Sequence, residues 1–162
     1  MTLSCKTGSF NTVLDELIKM SLSKRDVFLL FGSVDILVQF RELKDLDEFI
    51  NKWLNPIRAI TPQEAMIEKT QTLIVISEGK SFTEEPYAFL FLNTQPRNLE
   101  KVQQELQSIP KVLSADTVFG PYDVICAVRA SDMEDLKRLI SQIQKEVPRI
   151  QGTVTAIGAS LY

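Results

Sequence analysis

Apolar positions along the chain alternate between three- or four-residue spacing and short continuous runs, which are the signatures of helices and buried strands. Phe10, Val13, Leu14 and Leu17 define one helix face, and Leu46, Phe49, Ile50 and Trp53 a second. Leu99, Val102, Leu106 and Ile109 define a third, and Met133, Leu136, Leu139, Ile140, Ile143 and Val147 a fourth. Between them stand strand-like runs at 26–30, 36–40, 111–119 and 124–128. Tyr87–Leu92 is an aromatic-rich strand closed by the turn Asn93-Thr94-Gln95-Pro96, and Thr2–Lys6 a short, weak one.

The elements come as a repeat. Phe31-Gly32-Ser33-Val34-Asp35 returns 88 residues later as Phe119-Gly120-Pro121-Tyr122-Asp123, each followed by an apolar run that ends on Arg41 or Arg129. Asp45-x-x-Glu48 and Ser131-x-x-Glu134 read as capping boxes for the helices that follow, with a short oxygen taking a free N–H and an acid reaching back. The copies close on related final strands, Thr70–Ser77 and Thr153–Ser160, identical at four of eight positions. Each half is predicted to run strand, helix, strand, strand, helix, strand, the split βαβ or ferredoxin-like order. The expected fold class is α+β: tandem ferredoxin-like repeats over residues 1–77 and 87–162, joined by a polar linker at 78–86.

Val124–Val128 has no polar alternation, so both faces of that strand need cover and helices supply only one. The expectation is that the sheets of the two repeats pack face to face, as an intramolecular pseudo-dimer resembling a dimeric α+β barrel. Composition adds exclusions. Eighteen Lys and Arg against 21 Asp and Glu give a net charge of −3, so no basic surface for nucleic acid is implied. The absence of histidine removes the commonest general base and metal ligand. Cys5 and Cys126 belong to no ligand-spaced cluster and read as plain thiols, so neither a metal nor a cofactor is expected. With no leader pattern and no apolar span, the protein is expected to be cytoplasmic and off the membrane.

In the second half, the apolar first strand, Ile109-Pro110-x-Val112, Gly120-x-Tyr122-Asp123, the acidic start of the second helix and Thr153-x-Thr155 occur in order. Together they resemble the effector-binding (RAM) domain of the Lrp/AsnC family of transcription regulators. The first half resembles a diverged copy that keeps Gly32, Asp35, Thr70 and Thr72 but has Val34 in place of the tyrosine. In that family a helix-turn-helix precedes the domain, and a small molecule, usually an amino acid, binds near the Gly-x-Tyr-Asp loop. The first ten residues are expected to leave no room for a helix-turn-helix. The resemblance therefore implies a stand-alone, duplicated effector-binding protein that does not bind DNA. It would form a homo-oligomer or assemble with a DNA-binding relative.

The site residues suit that role. Gly120 lets backbone approach a ligand, Asp123 can accept from an ammonium, and Thr153, Thr155 and Ser160 offer hydroxyls. Tyr122 completes the set, with Gly32, Ser33, Asp35, Thr70 and Thr72 as weaker first-repeat equivalents. The same residues also read as good turn and strand formers, Gly-x-Tyr-Asp as a plain turn and the threonines by β-propensity. Trp53 reads as core. Two other readings stay open: a cofactor-free dimeric α+β barrel enzyme such as a small monooxygenase, and an ACT-type sensor, which the glycine-free Asn93–Asn98 turn disfavours.

Overall fold

The computed structural model describes residues 1–60 and 66–159. They divide into two compact units, one within Met1–Leu30 and Val34–Thr72, the other formed by Phe31–Ser33 and Leu73–Ala159.

The first unit runs β1 (Thr2–Cys5), α1 (Phe10–Lys19), β2 (Val27–Phe31), β3 (Ile36–Val38), α2 (Leu46–Phe49), a π-helical turn (Ile50–Leu54), α3 (Asn55–Arg58) and β4 (Ile67–Gln71). Its sheet order is β4-β1-β3-β2, antiparallel throughout. The weak first strand is thus formed and central, with Leu3 facing Ile36 on one side and Thr70 on the other. The second helix carries Pro56, which has no N–H to give. The π-helical turn precedes it, and the Asn55 N–H reaches back to the Ile50 carbonyl. Phe40 packs edge-on against Phe49 at 5.4 Å and tilted against Trp53 at 5.3 Å, placing Trp53 in an aromatic cluster as expected of a structural residue.

The second unit begins with β5 (Ile74–Ser77) and continues β6 (Ala88–Thr94), α4 (Leu99–Ser108), β7 (Val112–Phe119), β8 (Val124–Val128), α5 (Met133–Glu146) and β9 (Ile150–Ala159). Its order is β9-β6-β8-β7-β5. Leaving β5 aside, both units have the sheet order of a βαββαβ fold. Ala88, Leu90 and Leu92 alternate onto one face with Val124, Cys126 and Val128, and Val102 and Leu106 of α4 and Leu136, Leu139 and Ile143 of α5 close over them. On the opposite face Phe89, Phe91, Ala127 and Ala156 are buried too, as the unbroken apolar runs require.

Two local expectations change. Thr70–Ser77 is two strands: β4 ends at Gln71, and Ile74–Ser77 pairs with β7 in the register Ile74 to Phe119 and Val75 to Val118. The cap of α5 is Asp132 and not Ser131; its carboxylate accepts from the Asp135 N–H at 2.8 Å, while Asp135 accepts from the Ser131 N–H at 3.1 Å. The cap lies one residue later than expected, and the acid three residues beyond it reaches back past the cap to Ser131; burial of Leu136, Leu139 and Ile143 fixes the helix phase. Asp45 caps its helix as expected, accepting from Glu48 N–H at 2.8 Å.

Candidate functional site

The Gly120–Asp123 turn joins β7 to β8 and is held by one aspartate in three ways. The Asp123 carbonyl accepts from the Val118 N–H at 2.9 Å, closing the hairpin, and its own N–H donates to the Leu92 carbonyl at 2.9 Å. Its carboxylate Oδ2 accepts from the Thr94 N–H at 2.9 Å. The first repeat does the same: Asp35 accepts from the Leu30 N–H at 2.8 Å and donates to Leu3 at 3.0 Å, and its carboxylate takes the Cys5 N–H at 2.7 Å. The repeated Asp is therefore a clip fastening the hairpin to the first strand of its own repeat. A carboxylate that satisfies an N–H at a strand end serves the fold whether or not a ligand is present.

The second turn carries more than the clip. Asn93 Nδ2 donates to the Pro121 carbonyl at 3.3 Å and reaches Asp123 Oδ2 at 3.5 Å. The Tyr122 ring lies tilted against Phe91 with centroids 5.1 Å apart. Among the described residues, Asp123 Oδ1 and the Tyr122 hydroxyl carry no hydrogen bond, so an anionic acceptor and a phenol remain for a ligand. Asn93 was read from the sequence only as part of a turn. Its place at the end of β6, where the clip also lands, would have been the signal for it.

The threonines separate from this group. Thr153 pairs with Leu92 and Thr155 with Leu90, so both lie on the helix-facing side of the sheet, while Phe91 and the Tyr122 ring against it lie on the other. The structure thus brings Gly120, Tyr122 and Asp123 together with Asn93 and Thr94 at one end of the sheet, and turns Thr153 and Thr155 away. Ser160 lies outside the described residues. In the first repeat Thr70 pairs with Leu3, as Thr153 does with Leu92, and Arg58 Nε reaches its Oγ1 at 3.5 Å. Thr72 lies between β4 and β5 and Ser33 is an exposed turn residue. Gly32, with φ of 147°, is packed so that a Cβ would stand 2.9 Å from the Thr155 carbonyl oxygen.

Neither cysteine is primed for chemistry. Burial pushes both thiols up, with Asp35 and Glu68 adding to the effect at Cys5, which rises to about 11, and Asp116 at Cys126. Among the described residues, no group of three or more metal-ligating side chains occurs and no helix is long and apolar enough to cross a membrane.

Two units of βαββαβ order place the protein in the ferredoxin-like class. Within it, residues 87–160 match the family model of the Lrp/AsnC ligand binding domain. The chain is 29% identical over 74 residues to uncharacterized HTH-type transcriptional regulators of Pyrococcus abyssi and Pyrococcus horikoshii. Those matches cover 46% of this chain and 47% of each relative, so the likeness spans about half the length of the curated proteins. A crystal structure of a hypothetical protein from P. horikoshii aligns at 32% identity with a TM-score of 0.42, over 46% of this chain and 89% of that one. A Thermus thermophilus protein aligns at 24% identity and TM-score 0.43, over 46% and 94%.

Proposed function

We propose that the chain is an effector-binding protein of the Lrp/AsnC type that takes an amino acid at the Gly120–Asp123 turn. In this reading it serves regulation of transcription or amino-acid metabolism without itself contacting DNA, as a homo-oligomer or beside a DNA-binding relative. The observation that carries the reading is that the family match over residues 87–160 includes a turn offering two unused polar groups of the right kind. Asp123 Oδ1 would accept from the ligand's ammonium, the Tyr122 hydroxyl would meet its carboxylate, and the Phe91–Tyr122 pair would line the apolar side. The first repeat keeps the clip but has Val34 for the tyrosine and Ser4 at the strand position of Asn93, so the second repeat is the binding half. A regulatory-type domain over residues 87–160 favours binding over the monooxygenase reading.

The test is thermal unfolding against each of the twenty amino acids. An effector at a hundredfold its Kd stabilises the folded state by about 2.7 kcal/mol, which in a chain of this size raises the midpoint by about 5–10 °C. Asp123→Asn keeps an oxygen for the Thr94 N–H but removes the charge, so it should fold as wild type and lose the response. A midpoint unmoved by every amino acid overturns the reading.

A further inference from the structure

We infer that residues 74–80 form a detachable strap over the outer edge of β7, and that this strap keeps a second copy of the chain from pairing there.

The eight residues of β7 make the longest strand of the second unit after β9, and its only charge, Asp116, is turned toward the strap. Left open, a strand of this length and apolarity is a template for pairing with another chain. Four hydrogen bonds hold the strap beyond the short β5 ladder. Ser77 Oγ donates to Gln103 Oε1 at 3.2 Å, and Gln103 Nε2 donates to the Ser77 carbonyl at 3.1 Å and the Ala115 carbonyl at 2.9 Å. The Gly79 N–H gives to Asp116 Oδ1 at 2.6 Å, and Lys80 Nζ to the Gln107 carbonyl at 2.6 Å. Gly79 sits so close to β7 that a Cβ would fall 2.5 Å from Ser114 Oγ and 2.6 Å from both the N and O of Ala115. Two of those atoms are backbone in the middle of a strand and cannot give way.

Packing contributes little to this attachment. All four residues of β5 are exposed, Ile74 at 51% and Ile76 at 63%, so the strap is fastened by hydrogen bonds and not by a core. Segments held in that way lie at the low end of a protein's local stability. The strap also replaces a straight eight-residue edge with a four-residue strand bulged between Val75 and Ser77, and shortness and bulging are two devices that blunt an edge.

Gly79→Ala should lift the strap. Hydrogen exchange of the β7 amides would then rise, and sedimentation would show a mass above that of the wild-type chain that grows with concentration. Gln103→Leu, which keeps the side chain's bulk on α4 but removes the clasp on Ser77, should act in the same direction and decides the matter if Gly79→Ala does not fold. Adding Phe119→Lys, at an exposed position on the uncovered edge, should return either variant to the wild-type mass. The inference is overturned if both folded variants keep the wild-type mass, or if the association persists with Phe119→Lys in place.

Discussion

Removing the carboxylate from Asp35 or Asp123 strands a strand-end N–H, that of Cys5 or Thr94, at a partly buried position. Each Ala variant should lose about 1–3 kcal/mol in urea unfolding, and the two losses should be similar, because the bonds are. Asp123→Asn should cost far less, since its amide oxygen still accepts. A large loss at Asp123 with none at Asp35 would mean that the two aspartates are not equivalent clips. Ser21 offers the opposite sign. It ends α1 with φ of 63°, its N–H donating to the Ile18 carbonyl at 3.1 Å, in a region where a side chain is strained. Ser21→Gly should raise stability by about 0.5–1 kcal/mol in the same measurement.

Among the elements, α5 is anchored at its start through one aspartate. Asp135 accepts from Lys111 at the entrance of β7 and from the Ser131 N–H, and lies near Arg138 at 3.7 Å. The Lys111 hydrogen bond, followed by that from Ser131, holds its carboxyl down to about 2 from an ordinary 3.8. A carboxyl depressed by folding adds stability that is whole above its unfolded pKa of about 4 and fades as pH falls toward the folded value. Lys111→Met should therefore lower the urea midpoint at pH 6, and the gap from wild type should close on titration toward pH 2. A gap unchanged with pH would remove the ion pair from the account. The placement of α5 also shows where sequence reading stops. Leu136, Leu139 and Ile143 mark its buried face, yet Ser131-x-x-Glu134 and Asp132-x-x-Asp135 satisfy one capping rule equally well. Only the helix phase against the sheet separates them.

For the molecule as a whole, the order of elements was readable because each half repeats one pattern, and Phe31–Asp35 against Phe119–Asp123 aligns the halves without any other information. The division of the last first-repeat strand was not readable, since Thr70–Ser77 looks continuous while hydrogen bonding assigns its two ends to different neighbours. The candidate site was legible in part. Gly120, Tyr122 and Asp123 stand together, but the period of two along β9 sends Thr153 and Thr155 to the helix-facing side, and register is invisible in a single strand's composition. At this scale the decisive measurement is stoichiometry. Calorimetric titration with whichever amino acid shifts the midpoint should give one site per chain, and two would return the first repeat to the binding function.

The twin clips bear on how such a chain can change over generations. In an assembly of identical subunits every substitution arrives in all copies at once, so a turn that serves both folding and recognition is constrained by both duties everywhere. Here the folding duty is discharged by Asp35 and Asp123 alike, while the Phe91, Asn93 and Tyr122 dressing occurs once. A single codon change can therefore alter one turn and leave its twin as a spare, a freedom that an assembly of identical subunits lacks.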